Sequence, residues 1–181
     1  ISADSSFGNG WRLVNRDFDI QTSVAPTGHE ATGIFNPLRQ GSRVYLTLPD
    51  GRRVGFTFNP IKHELPGVTY YTPAFEADAG VAYRLESAMT LLTRGRDGFY
   101  DLQTALPYNP ASDRFAGAEY TLIAADGTKY LLSTARGVEE QIMPSGARLI
   151  FSDNAIVASN GERIQFTRDG AGRITAIDGP D

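Results

Sequence analysis

The side chains best suited to recognition in this chain are aromatic. Trp11, Tyr70, Tyr71, Tyr83, Phe99, Tyr100 and Tyr108 include candidates for an exposed platform. An exposed ring stacks on the apolar C–H face of a sugar, while nearby Asp, Asn or Arg groups hydrogen-bond its hydroxyls. Tyr70 and Tyr71 are neighbours, so on a strand they point to opposite faces and one of them faces solvent. Trp11, Tyr70, Tyr71 and Tyr100 are the candidate carbohydrate-binding residues on this reading. Against it stands the ordinary fate of aromatics, which is to fill cores and interfaces.

Titratable groups give less. His29 and His63 are the two histidines, and both sit in loop-like sequence. A catalytic base or a metal site needs convergent partners. His63 and Glu64 are adjacent, which points them apart in an extended chain, so both histidines read as surface residues. Asp17 and Asp19 share one face of a strand, where two carboxylates serve glycoside hydrolysis or calcium binding only with further ligands around them. Solvated carboxylates are the simpler account. Asp169-Gly170-Ala171-Gly172 lacks the alternating-aspartate spacing of a calcium loop and reads as a turn. The sequence holds no nucleophile elbow, no phosphate loop ending in Lys-Ser/Thr and no zinc-protease helix motif. Neither catalytic residues nor a metal site nor a cofactor is expected.

Bulk properties narrow the classes further. The chain has 181 residues, 41% of them hydrophobic, enough for a buried core. Ten Phe and eight Tyr against two Met favour strands over helices. The formal net charge is −4, and the 17 basic residues are scattered, so the basic stripe of a nucleic-acid groove is missing. With no cysteine, disulfides, zinc ribbons and thiol nucleophiles are excluded. No apolar run approaches the ~20 residues of a membrane helix. Ile1–Asn9 has neither the basic start nor the apolar centre of a signal peptide. The Ile start suggests a piece of something longer.

Alternation shows which elements must carry these groups. Arg43–Leu48 and Arg53–Phe58 read as a hairpin about Pro49-Asp50-Gly51, because Asp-Gly supplies the positive φ of a tight turn. The design recurs about Asp126-Gly127, Pro144-Ser145-Gly146, Asn160-Gly161 and Asp169 to Gly172, giving a meander of short strands. Residues 59–81 carry Pro60, Pro66 and Pro73 and read as extended loops around a short strand at Val68–Tyr71. Residues 81–94 fit a helix through Val81, Leu85, Met89 and Leu92, and a strand through Val81, Tyr83 and Leu85. Pro107–Gly117 reads as a loop. Val44, Leu46, Leu48, Val54, Phe56, Phe58, Leu122, Leu131, Ile150, Ile164, Phe166, Ile174 and Ile177 are the expected core, or their strand neighbours where the phase is inverted.

Three stretches carry a resemblance. Phe166-Thr167-Arg168-Asp169-Gly170-Ala171-Gly172-Arg173-Ile174-Thr175-Ala176-Ile177 is similar to the repeat of the Rhs/YD-repeat family, with Arg168 where that family usually has Tyr. Phe7-Gly8-Asn9-Gly10-Trp11 resembles the Phe-Gly-x-Gly-Trp that often begins the family's shell. The hairpins at Leu48–Val54 and Ala125–Tyr130 are similar to its early strand pairs. Residues 59–117 match nothing in it and are a candidate insertion.

The resemblance implies a long β-sheet spiralling into a hollow shell, which in bacteria encloses a toxin or serves cell-surface adhesion. The fold expected is therefore all-β: an antiparallel meander of short hairpins, curled or partly closed into a shell or barrel, in one domain over residues 1–181. The function expected is a non-catalytic scaffold module of an exported or cell-surface protein. Its partners would be other parts of the same polypeptide shell, and polysaccharide or a cell-surface ligand. The alternatives are a carbohydrate-binding module of a secreted protein and, less favoured, a calcium-stabilised adhesin domain.

Overall fold

The computed structural model of the protein describes residues 18–48 and 50–179. Its strands run in chain order β1 (Ile20–Thr22), β2 (Arg43–Thr47), β3 (Arg53–Phe58), β4 (Ile61–Leu65), β5 (Val68–Thr72) and β6 (Phe75–Ala77). Next come β7 (Arg84–Ser87), β8 (Leu92–Arg94), β9 (Phe99–Asp101), β10 (Tyr120–Ile123) and β11 (Lys129–Ser133). The last are β12 (Gly137–Ile142), β13 (Arg148–Phe151), β14 (Ala155–Ala158), β15 (Arg163–Arg168) and β16 (Ile174–Asp178). Single turns of 3-10 helix at Glu30–Thr32 and Pro110–Ser112 are the helical content of the described residues. None is long and apolar enough to cross a membrane.

The all-β expectation holds, but the strands form three open antiparallel sheets rather than one. The first has the order β1-β2-β3-β6, the second β4-β5-β8-β9, and the long eight-stranded sheet β16-β15-β14-β13-β12-β11-β10-β7. From β10 onward each strand of the long sheet pairs with the next in the chain, which is the meander the turn glycines predict. Gly127, Gly146, Gly161 and Gly172 all have positive φ, as those turns require.

Residues 59–81 are more ordered than loops. Ile61–Leu65 and Val68–Thr72 make a hairpin about Pro66-Gly67, with Gly67 at φ +81. Of the two readings of 81–94, the strand is the one found: β7 and β8 occupy it, and Leu85 on β7 faces Leu122 on β10. The segment 59–117 also supplies β6 to the first sheet and β7 to the long one.

Apolar burial explains the arrangement. Ile20, Val44, Leu46, Val54 and Phe56 point from the first sheet onto Leu85, Tyr120, Leu122, Leu132, Val138 and Phe151 of the long sheet. A smaller core joins Leu38, Phe58 and Tyr108 to Leu92 and Phe99 of the second sheet. Five of the expected core positions lie elsewhere, among them Ile174, half-buried on β16 and outside both clusters. Leu131 and Ile150 belong to the opposite face from Leu132 and Phe151, which take the inner places. Ile164 and Ile177 are exposed because the inner face of the long sheet runs past the end of the first sheet that covers it.

Candidate functional site

The second sheet carries the candidate site, and its strand register decides which side chains compose it. In the β4–β5 hairpin His63 lies opposite Tyr70, with Ile61 opposite Thr72 and Leu65 opposite Val68. Opposed residues share a face, and so do residues two apart. In the β8–β9 pair Thr93 lies opposite Tyr100 on that same face, while Tyr71, Leu92, Phe99 and Asp101 take the other. The Leu102 amide donates to the Leu91 carbonyl at 2.8 Å, which continues the pairing and sets Leu91 beside Leu102 on the outer side.

The outer face thus has an aliphatic row, Ile61–Thr72–Leu91–Leu102, beside an aromatic and hydroxyl row, His63–Tyr70–Thr93–Tyr100. Leu65 and Val68 extend it along the hairpin. The aliphatic members range from 40% exposed at Leu91 to 58% at Leu65. Among the described residues, no Asp, Glu, Lys or Arg stands on this face. The Lys62–Glu64 ion pair lies on the reverse of the hairpin.

Two devices build the middle of the face. The His63 and Tyr70 rings stack nearly parallel, 4.8 Å between centroids, and His63 Nε2 hydrogen-bonds Thr72 Oγ1 at 2.9 Å. The Tyr100 ring lies across Gly95, where a Cβ would stand 2.5 Å from Tyr100 Cε2. Gly95 is therefore a requirement of that ring position.

The sequence-predicted residues divide accordingly. Tyr70 and Tyr100 stand together on the outer face. Tyr71 points inward and packs edge-on against Phe99 at 5.1 Å, so its ring serves the core. Tyr83 packs against the larger core, and Phe99 and Tyr108 are buried. Trp11, with the Phe-Gly-x-Gly-Trp stretch and Asp17, lies outside the described residues. Asp19 pairs with Arg53 at 3.0 Å. Sequence reasoning missed Ile61, Leu65, Val68, Leu91 and Leu102. Their signal was the period-two pattern Ile61-x-His63-x-Leu65 resumed as Val68-x-Tyr70-x-Thr72 across Pro66-Gly67.

Three carboxylates at open clefts elsewhere, Asp101, Glu139 and Glu140, are engaged in holding the chain. Asp101 lines an open cleft of about 450 Å³ beside Met89, Leu106 and Phe115. Burial pushes its carboxyl up, but the Thr90 and Thr104 hydroxyls and the Thr104 and Gln103 amides outweigh that and hold it below the usual carboxylate value. Thr90 donates to Oδ2 at 2.5 Å and the Thr104 amide to Oδ1 at 2.8 Å. A second open cleft, of about 410 Å³, contains Glu139, ion-paired with Arg136, and Glu140, ion-paired with Arg148. Buried Tyr108 and Tyr120 are raised well above the ordinary phenol value, chiefly by desolvation. Among the described residues no group of three or more His, Asp or Glu side chains is placed to hold a metal ion.

The turn motif of the family resemblance also has a defined geometry. Asp169 Oδ1 accepts from the Ala171 and Arg173 amides, each at 2.9 Å, and Oδ2 accepts from Arg173 Nε at 2.8 Å. Asp126 caps the Thr128 amide at 2.9 Å, and Asn160 the Glu162 amide at 3.1 Å. Asp50 does the same for Arg52 at 2.9 Å and grips its guanidinium.

No family model, no curated protein and no solved structure matches this chain.

Proposed function

We propose that the chain is a non-catalytic β-scaffold module, of the kind found in exported bacterial Rhs/YD-repeat proteins. One observation carries this reading: from β10 to β16 the chain adds one strand after another to a single sheet, each turn pinned by a short polar side chain and all but the Ser152–Asn154 turn carrying a positive-φ glycine. Such a segment needs only its neighbours, so the sheet extends indefinitely without redesign. Among the described residues the last strand, β16, has one unpaired edge, and the apolar inner face continues to it through Ile164, Phe166 and Ile177. An edge with an apolar inner side suits the addition of a further strand. The role is structural within an extracellular or cell-surface assembly, with other parts of the same polypeptide as partners. The engaged state of Asp101, Glu139 and Glu140 also supports a non-catalytic reading.

Hydrogen exchange tests it. The β16 amides that face away from β15 exchange fast in the 181-residue chain and become protected when the downstream reading frame is appended. Further aromatic-Asp-x-x-Gly-Arg units in that frame are expected. A downstream segment that leaves β16 exchanging as before would remove the reading.

The placement of Tyr70 and Tyr100 on one face favours a second reading, carbohydrate binding. Two strand spacings separate them, about 10 Å. Retention on a polysaccharide gel that Tyr70→Ala and Tyr100→Ala abolish, at unchanged melting, would support it. The calcium-stabilised adhesin reading requires a melting temperature that falls with chelator.

A further inference from the structure

We infer that the outer face of the β4-β5-β8-β9 sheet is a self-association surface, on which two copies of the chain pack face to face. The scaffold reading concerns strand addition at the long sheet and does not depend on this.

Three observations point to a second copy. First, among the described residues no Asp, Glu, Lys or Arg stands on the face, so it meets its own image without repulsion between such groups. The outer face of the first sheet cannot do this, because Asp19, Arg43, Arg53 and Asp78 already satisfy one another there. Second, the apolar groups lie on both sides of the sheet. Ile61 and Leu65 stand on the β4 edge strand, while Leu91 and Leu102 belong to the β8–β9 side. A two-fold axis through the centre lays one aliphatic flank on the other and brings the middle row against itself. Sheets packed this way keep their strands within roughly 30° of each other. Third, the area suffices. Five side chains about half exposed, with the half-buried rings among them, present roughly 600 Å², so two copies bury about 1,200 Å², the lower bound of a specific interface. A sugar stacked on Tyr70 and Tyr100 would leave the exposed Leu65 and Val68 side chains uncovered.

The association expected is a weak, concentration-dependent dimer. Sedimentation velocity of the 181-residue chain, from low to high micromolar, reads it directly. The wild type moves from monomer towards dimer. Leu65→Lys with Val68→Lys weakens the dimer by about tenfold or more while the melting temperature stays unchanged. Since the chain contains no cysteine, Thr93→Cys adds its sole thiol near the centre of the face, and mild oxidation then links two copies covalently. Thr175→Cys, on the β16 edge, is the control and does not link. A chain that stays monomeric throughout overturns the proposal. So does a dimer indifferent to the lysine pair, or one linked through Thr175→Cys instead, since both assign association to the open edge. A monomer that polysaccharide retains through Tyr70 overturns it in favour of the sugar reading.

Discussion

The two four-stranded sheets are alike in size and opposite in how they spend their charge. On the first sheet charge stands outside. Arg43 grips Asp78 with its two terminal guanidinium nitrogens, at 2.7 and 2.5 Å, and lies 5.3 Å from the Tyr45 ring centroid. Arg53 reaches Asp19 and Gln21 across three strands. On the second sheet the outer side carries no Asp, Glu, Lys or Arg among the described residues, and its buried carboxylate, Asp101, sits on the inner side wrapped in donors. A face that satisfies itself needs no partner, whereas apolar surface left facing water is stabilised by whatever covers it. That contrast is what makes the outer face of the second sheet the proposed self-association surface.

The sharpest way to break the comparison is at the joint that holds the second sheet to the body. Gly98 has φ +151, and a Cβ there would stand 2.6 Å from the Leu38 carbonyl oxygen and 2.9 Å from two carbons of Pro37. That same carbonyl receives the Phe99 amide at 2.9 Å, so it cannot retreat. Backbone strain and overpacking combine, and Gly98→Ala is expected to cost about 3 kcal/mol or more. Urea denaturation measures the loss. Hydrogen exchange should accelerate at β8 and β9 before it does at β2 and β3, and uniform acceleration would mean the sheets do not open separately.

Asp101 comes next. Removing it leaves the Thr90 and Thr104 hydroxyls and two amides without their acceptor, and Asp101→Ala is expected to cost about 2 kcal/mol. The sign of its pH dependence follows from the lowered carboxyl. Its folded value lies below the ordinary 3.8, so the stabilisation is complete above that ordinary value and disappears as pH falls through the folded one. In acid titrations the wild type and Asp101→Ala should differ at neutral pH and converge in strong acid. A constant gap down the scale would show that the carboxylate is not the acceptor.

These elements were unequally legible, for physical reasons. The first hairpin and the later turns announce themselves because Asp-Gly and Asn-Gly fix turn geometry locally. The second sheet does not, since β8 and β9 have three residues each and β5 meets β8 through the single pair Tyr71–Leu92, with β6 and β7 leaving for other sheets in between. Pro66 hid the β4–β5 hairpin by suggesting a loop, although Pro followed by Gly suits a turn that needs φ near −65° and then a positive φ. Phase failed where apolar residues run together. Leu131-Leu132 and Leu149-Ile150-Phe151 admit either face, and the irregularity between Leu131 and Leu132 shifts the register. Of the candidate site, Tyr70 and Tyr100 were readable as aromatics, but their common face depends on the pairing of β5 with β8, which no local pattern encodes.

On the charged side, Gly55 offers a milder test. A Cβ there would stand 2.2 Å from Arg43 Nη2 and 2.6 Å from Asp78 Oδ2, the ends of flexible side chains rather than backbone. Gly55→Val should displace the ion pair instead of the strand, and better strand propensity offsets part of the loss. A net cost of about 1 kcal/mol is expected. The pair holds the Asp78 carboxyl below its ordinary value, through the Arg43 hydrogen bonds first. The variant should therefore titrate Asp78 nearer that value by NMR. A cost as large as that of Gly98→Ala would mean that the ion pair is a structural clamp and that the two faces are not opposites after all.

The smallest effect is the most informative. Leu65 and Val68 are among the more exposed apolar side chains and flank the turn of a projecting hairpin. Lysine at both positions removes little buried surface, so Leu65→Lys with Val68→Lys should change unfolding free energy by no more than about 0.5 kcal/mol. Solubility and monomer content should rise together. A substantial loss of stability would show that this face is covered within the chain itself, and the distinction between a satisfied and an unsatisfied sheet would fail. Unchanged stability with lost self-association ties the bare face to a partner, because surface that contributes nothing to the isolated fold contributes only when a second molecule covers it.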